Sequence, residues 1–436
     1  MKADRQADCD QAVKPRVAAT YLGAAGHDQL ARRRGILALV AMIGGVIGLY
    51  GWLRFAMAFD HDGPFGQRYI TPGIDYMVYW RAAHAAMAGD FALLADPVAF
   101  TAQISEQFHT WLSRPLPLFP WMYPPHFLLV LMPFAVLPFA LSYAVFQVAS
   151  FAAAVATGCC FWAGRSGRWA LWAVGLALSP AASMNVIAGQ NAFLTLALLL
   201  GGMGLLGRRD FVAGLILGLL SYKPQFAVMV AVALLAARHW RALAGAIVSA
   251  SFAIVLSAAT FGLAPWRDWL GHTLPGALMG GAGDLAWSNA GRVWGLSIWA
   301  CATALGAPDW LANAAQGAAI LLAIVCTWAA FCGAFGRDRR IAVLLTATLI
   351  AAPHVSPYDL VLLAAVVLLL YRDMLDGIAI MPGSLLLLPW SAPLVEVPRL
   401  SVFGFGVPVV MVGLLFVLLR PSASQAREKP TMKTRN

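Results

Sequence analysis

The chain has 436 residues, of which 61% are hydrophobic and only 11% charged. Soluble domains carry about 25% charged residues, so a soluble fold is excluded. A β-barrel is excluded as well, because the apolar residues come in unbroken runs and do not alternate. The net charge of +10 would suit nucleic acid in a soluble protein. In a membrane chain it reads instead as Lys and Arg gathered at the cytoplasmic ends of spans, and no nucleic-acid partner is expected. The six cysteines, Cys9, Cys159, Cys160, Cys301, Cys326 and Cys332, lie mostly within apolar runs, with no zinc spacing and no disulfide framework.

In chain order, residues 1–34 form a basic tail ending in Arg32, Arg33 and Arg34, which should stay in the cytoplasm. The run 35–58 is too long for a signal-peptide core and is read as the first span. Segment 59–119 holds Asp60, Asp62, Asp75, Asp90, Asp96 and Glu106 and is read as the first extracytoplasmic loop. Within it, 75–89 puts Tyr76, Tyr79, Trp80, Ala83, Ala86 and Met87 on one helical face, which suits a helix lying on the membrane surface. Residues 97–113 are a candidate second one. Further spans are expected at 120–138, 139–163, 169–187, 189–206, 211–237 and 241–263. Residues 264–308 form a second large extracytoplasmic loop.

Within that loop, 291–306 is ambiguous. The basic loop Arg337–Arg340 belongs in the cytoplasm, so 309–335 is the span that enters from outside, and 291–306 does not cross. The loop 353–357 then faces out, Arg372 faces in, and 402–419 leads to a basic cytoplasmic tail, 420–436. The expectation is an all-α polytopic membrane protein whose domain, 35–419, has about twelve transmembrane helices. One conflict remains. This order turns Arg165/Arg168 and Arg208/Arg209 outward, unless two segments between 120 and 237 are short or re-entrant.

Polar groups in or beside a bilayer are costly and are candidates for function. Asp75, at the start of the aromatic helix, is either a helix N-cap or a general base for a hydroxyl. Tyr123, in Trp121-Met122-Tyr123-Pro124-Pro125-His126, is an interfacial anchor or a substrate contact. Gln190 and Asn191, after Gly189, either cap the next helix or bind a sugar. Lys223, in Ser221-Tyr222-Lys223-Pro224-Gln225, sits in a long apolar run where an unpaired charge costs ~3 kcal/mol or more; it snorkels or binds phosphate. Arg292, in Ser288-Asn289-Ala290-Gly291-Arg292, is a candidate for gripping a phosphate. His354, Tyr358 and Asp359 cluster in Pro353-His354-Val355-Ser356-Pro357-Tyr358-Asp359, with a helix cap as the structural reading of Asp359.

The phrases DYMVYWRAAHAAMAGD, YPPHFLLVLMPFAVLP, GQNAFLTLALLL and GLILGLLSYKPQ, followed by Pro357-Tyr358-Asp359, occur in an order that resembles glycosyltransferase family 87. These are membrane enzymes of the GT-C superfamily, among them α-mannosyltransferases that use polyprenyl-phosphate-mannose. The resemblance covers roughly residues 35–420 and implies a GT-C-like fold with surface helices in the first extracytoplasmic loop. It implies Asp75 as catalytic base, with Asp60 and Asp62 as fallbacks. It also implies Tyr79, Tyr123, Gln190, Lys223, Arg292 and His354 as substrate contacts. The implied reaction is metal-independent, cofactor-free and inverting. It takes a hexose from a polyprenyl-phosphate-linked donor to a lipid or glycan acceptor at the periplasmic face of a bacterial inner membrane. The competing readings are a transporter or flippase of a lipid-linked substrate and an O-antigen ligase or polymerase. The first lacks an inverted repeat, and the second would place its large loop late in the chain.

Overall fold

The computed structural model describes residues 32–54, 56–57, 71–112, 115–162, 168–275, 295–378, 380–395 and 402–420. The described residues form helices and no strands. The first helix, α1 (Arg32–Arg54), is one of four long and apolar enough to cross a membrane. It exposes Ile36, Leu39, Met42, Val46, Leu49 and Leu53, an apolar face suited to lipid. Then follow α2 (Ile74–Met87), α3 (Phe91–Ala95), α4 (Pro97–Gln107), α5 (His126–Ala135) and α6 (Phe139–Phe161). The chain continues through α7 (Trp169–Ala177), α8 (Pro180–Ala188), α9 (Ala192–Leu205), α10 (Asp210–Gly218), α11 (Pro224–Ala236) and α12 (Trp240–Phe261). After α13 (Ala264–Asp268) and a π-turn, Trp269–Thr273, come α14 (Ile298–Ala304), α15 (Asp309–Cys332), α16 (Arg337–Ala351), α17 (Val361–Leu375), α18 (Leu387–Ser391) and α19 (Gly406–Leu418). The chain is thus an α-helical polytopic membrane protein, with α6, α12 and α15 as the other long apolar helices. Helices α16 and α17 form its centre, buried along almost their whole length.

Contacts at the helix ends define two poles. At the basic pole, Arg372 donates to Asp338 (2.6 Å) and to the Trp162 carbonyl, and Arg168 donates to Asp376 (2.7 Å). Arg337 donates to the Gly204 carbonyl (3.1 Å), and Arg339 to the Arg420 carbonyl (2.8 Å). Tyr371 donates to the Leu37 carbonyl (3.0 Å) and so brings the Arg32–Arg34 end of α1 there too. The opposite pole holds α2 to α5, residues 189–191 and residues 352–359, and α12 reaches it where Phe261 meets Phe91 (5.5 Å between ring centroids).

Two expected crossings are corrected. Segment 120–138 contains only the ten-residue α5, and both of its ends stay at the pole opposite the basic one, where His126 bonds Ser221 (3.1 Å) and the Leu137 carbonyl accepts from Trp80 (3.0 Å). Segment 211–237 is not one helix. It breaks at a 3₁₀ turn, Leu219–Tyr222, before Pro224, and its two ends meet at the basic pole, where His239 bonds Asp210 (3.2 Å). The segment therefore climbs and returns, with Lys223 near its tip. Packing of α10 on α12 requires small residues: a Cβ on Gly214 would stand 1.9 Å from the Ala242 carbonyl oxygen, a backbone approach common between membrane helices. These two changes bring Arg168 and Arg208 to the same pole as Arg337, which removes the charge conflict of the sequence. The segment 291–306 contributes only the seven-residue α14, too short to cross.

A third correction concerns α2. It is not a surface helix with one wet face, because Tyr76, Met77, Val78, Tyr79, Ala82, Ala83, Ala85 and Ala86 are all buried. A helix apolar on nearly every side belongs inside.

The two-pole arrangement makes a prediction for single cysteines in a background with the native ones replaced. Arg209→Cys and Gly336→Cys, both at exposed positions, should react with an impermeant thiol reagent from the same side of the membrane. Leu263→Cys, 59% exposed, should react from the other. Shared reactivity of Arg209→Cys and Leu263→Cys would overturn the hairpin.

Candidate active site

The site is built where α2 crosses the end of α8. Gly73 and Gly189 make this contact possible. Both have positive φ (76° and 78°), a region that disfavours residues with a Cβ. A Cβ on Gly189 would lie 2.6 Å from the Tyr76 Cβ and 3.2 Å from the Gly73 Cα. The Gly73 amide donates to the Ile187 carbonyl (2.7 Å). Tyr143 donates to the Val186 carbonyl, and Tyr76 shares a hydrogen bond with Ser142 (2.8 Å). Gly73 takes the N-cap position of α2 without a side-chain cap. Asp75 is therefore not the cap, and its side chain faces Gln190.

Gln190 is held on both sides of its amide. Its backbone carbonyl accepts from Gln147 (2.9 Å), whose own Oε1 accepts from Asn185 (2.9 Å). Its side-chain Oε1 accepts from the Asn191 amide (3.3 Å), from Tyr79 and from Tyr123 (3.2 Å). With Oε1 committed as acceptor, Nε2 is the donor, and it donates to Asp75 Oδ2 (2.8 Å) and towards the Tyr358 hydroxyl (3.3 Å). Asn191 Nδ2 donates to both Tyr79 (2.9 Å) and Tyr123 (3.0 Å), whose hydroxyls are 2.7 Å apart. The amide orientation thus engages Asp75 Oδ2 as an acceptor. Burial pushes the Asp75 carboxyl up to about 6, against the hydrogen bond from Gln190; Asp359 adds to the rise and Lys223 opposes it. Burial also holds the Tyr79 phenol well above its usual range, so it remains a donor.

Lys223 and Asp359 form the second part. Both are buried, at 5% and 4% exposure, with Nζ 2.9 Å from Oδ1. Asp359 Oδ2 accepts from the Ser356 amide (3.1 Å) as the third residue of a capping box whose cap is Ser356, so Asp359 does not itself cap the following helix as expected, and Lys223 lies 5.1 Å from the Phe226 ring centroid. Neither snorkelling nor an unpaired charge describes Lys223: the hairpin tip carries it inward to a carboxylate.

The structure therefore gathers Asp75, Tyr79, Tyr123 and Gln190 by direct hydrogen bonds and sets Lys223 beside them through Asp359. His354 is half-buried, edge-on to Trp299 at 6.2 Å, and belongs to the segment that precedes this pair. Arg292, Asp60 and Asp62 lie outside the described residues. Sequence reasoning passed over Gln147 and Asn185, which orient Gln190, although an amide inside a long apolar run is itself a costly group and so a signal.

A helical membrane bundle with a carboxylate and amide cluster at one end is a frame for group transfer, and comparison with known families makes the class definite. A sequence model of glycosyltransferase family 87 matches residues 121–357, more than half of the chain. The chain belongs to glycosyltransferase family 87 and is a membrane glycosyltransferase. The match takes in Tyr123, Gln190, Lys223, Arg292 and His354, and Asp75, Tyr79, Tyr358 and Asp359 lie outside it. No curated protein and no solved structure matches the chain.

The ion pair yields a stability prediction. Lys223→Met should destabilise the detergent-solubilised protein by about 3–5 kcal/mol, because it leaves a buried carboxylate unpaired. Adding Asp359→Asn should recover part of that loss, as measured by thermal unfolding. A double variant no more stable than the single one would show that the pair is not a unit.

Proposed function

We propose that this glycosyltransferase moves a hexose, with mannose implied by the resemblance, from a polyprenyl-phosphate-linked donor to an acceptor hydroxyl, and that Asp75 is its general base. The supporting observation is the oriented amide of Gln190. It occupies one carboxylate oxygen of Asp75 and leaves Oδ1 for the acceptor proton. In the reaction, the acceptor O–H proton passes to Oδ1 as the acceptor oxygen bonds to C1 of the sugar. The bond from C1 to the phosphate oxygen breaks, and polyprenyl phosphate leaves with the electron pair. Attack in line with departure inverts C1, and no step requires a metal when protein cations meet the phosphate. His354 and Arg292 are the cations proposed for that contact. Lys223 is already balanced by Asp359 and acts by holding the hairpin tip against the site.

Sidedness follows from charge. The basic pole gathers Arg168, Arg337, Arg339, Arg372 and Arg420, and the positive-inside bias assigns it to the cytoplasm. The site pole is then extracytoplasmic, which in a bacterium is the periplasmic face of the inner membrane. Counting α10 and α11 as two short passages and α5 as none keeps the expected total of twelve and puts both tails inside, in a GT-C-like arrangement.

Asp75→Asn should fold normally, since Asp75 does not cap α2, and should still bind the lipid donor. Its transfer rate should fall by ~10²–10⁴-fold. Near wild-type transfer in a radiolabelled-sugar assay would reject Asp75 as the base and move attention to Asp60 or Asp62.

The pH dependence has a defined sign. A base whose carboxyl titrates at about 6 is active when deprotonated, so kcat/KM should decline as pH drops below that point. Removing the Gln190 donor takes away a group that favours the charged form. Gln190→Leu should therefore move the acid limb to higher pH, whereas a purely structural role for Gln190 would lower activity without moving it.

A further inference from the structure

Next to the Asp75 cluster is a cavity of about 180 Å³, between α3, the Trp121–Leu128 stretch and the π-turn after α13. We infer that it is a subsite for one pyranose ring of the sugar substrates, an inference that rests on the glycosyl-transfer reading above. Four aromatic rings line it, Phe91, Trp121, Tyr123 and Trp269, together with the carboxylate of Asp268 and the imidazole of His272. A hexose has apolar C–H faces and a rim of hydroxyls. Flat aromatic walls fit its faces, and the carboxylate of Asp268 and the imidazole of His272 suit its hydroxyls, one accepting and the other able to do either. The volume is below the ~300–1,000 Å³ of drug-sized sites, room for one ring and not for a glycan chain.

The walls are fixed. Trp269, 9% exposed, donates its indole N–H to the Met122 carbonyl (3.1 Å), and Trp121 is 5% exposed. His272 is carried by a π-turn, Trp269–Thr273, and Asp268 immediately precedes it; such distortions of a helix are frequent at functional sites. Tyr123 connects the two regions, lining the cavity while its hydroxyl donates to Gln190 Oε1. A ring in the cavity would therefore lie one side chain away from the group that orients Asp75. The occupant is not the donor phosphate, since Asp268 would repel it. Nor is it a bare polyprenyl chain, which has no hydroxyls to offer Asp268 and His272.

The test uses the full-length protein in lipid nanodiscs, with Asp268→Ala and His272→Ala. Asp268 is half-buried and His272 exposed, so folding should survive, as the unfolding temperature will show. Binding of methyl α-D-mannopyranoside and its gluco and galacto counterparts is followed by saturation-transfer NMR. Wild type should bind at least one, and both variants should bind it about 10-fold more weakly or worse. Transfer from polyprenyl-phosphate-mannose to octyl α-D-mannopyranoside then identifies the ring's source. A rise in acceptor KM alone assigns the acceptor sugar, and a rise in donor KM alone assigns the donor sugar.

Wild-type protein that binds none of the three glycosides, or variants that bind like wild type, would overturn the subsite. If that occurs while Asp75→Asn is inactive, only the subsite falls. If glycoside binding is lost in the variants while Asp75→Asn remains active, the subsite stands and the base assignment falls.

Discussion

The carboxamide of Gln190 is the part on which the site's geometry depends. An isolated amide can present either its oxygen or its nitrogen to a neighbour. Here the Asn191 backbone amide and two tyrosine hydroxyls converge on Oε1, so Nε2 must point at Asp75. The constraint extends backwards through Gln147 and Asn185, both buried, where an unpaired amide would be expensive. Because every member of that series is paired, the series fixes which oxygen of Asp75 is engaged. The price of this order is a carboxylate kept in poorly hydrated surroundings, with its charged form disfavoured.

The buried ion pair complements it. Two charges taken from water are held only if their mutual geometry and remaining hydrogen bonds are good. Lys223 and Asp359 meet that condition by joining a hairpin tip to the start of α17, with the Ser356 amide as a further donor. The segment breaks at this point, at the 3₁₀ turn Leu219–Tyr222 before Pro224. Pro224, which cannot supply an amide to the preceding turn, sits at the first position of α11 where that amide is not needed. Local sequence and the long-range pair thus favour the same break.

Much of this was legible in the chain before folding. A costly polar group in or beside the bilayer identifies itself, and Asp75, Gln190, Lys223 and Asp359 were all visible that way. What they contact was not, because Lys223 and Asp359 are 136 positions apart and nothing local pairs them. Asp75 read equally well as a cap until Gly73 took that place two residues earlier. The surface-helix reading of α2 failed for a plain reason: aromatic residues spaced with alanines satisfy a helical stripe, but the same alanines also make the remaining faces apolar and fit for burial. The central crossings were misread because hydropathy reports length and not direction. The arginines carried the missing information, since Arg168 and Arg208 could share a pole with Arg337 only if the chain turned back once between 211 and 237.

Charge separation along the bundle then bears on the chemistry itself. Arginines concentrate at one end, while the described site holds two carboxylates and one paired lysine, so the site itself has little surplus positive charge for an anionic lipid headgroup. On the proposed reaction, a donor phosphate at this pole would need cations from outside the described cluster, the role proposed for His354 and Arg292. The proposed base, near the neutral range, and a phosphate held by separate cations would be compatible in such a site. Placed directly on the phosphate-binding cations, the carboxylate would be held too acidic to take a proton from a hydroxyl. The Lys223–Asp359 pair, neutral as a unit and wedged beside Asp75, keeps a fixed charge close without letting it dominate, which is consistent with the opposed effects of its two members on the Asp75 carboxyl.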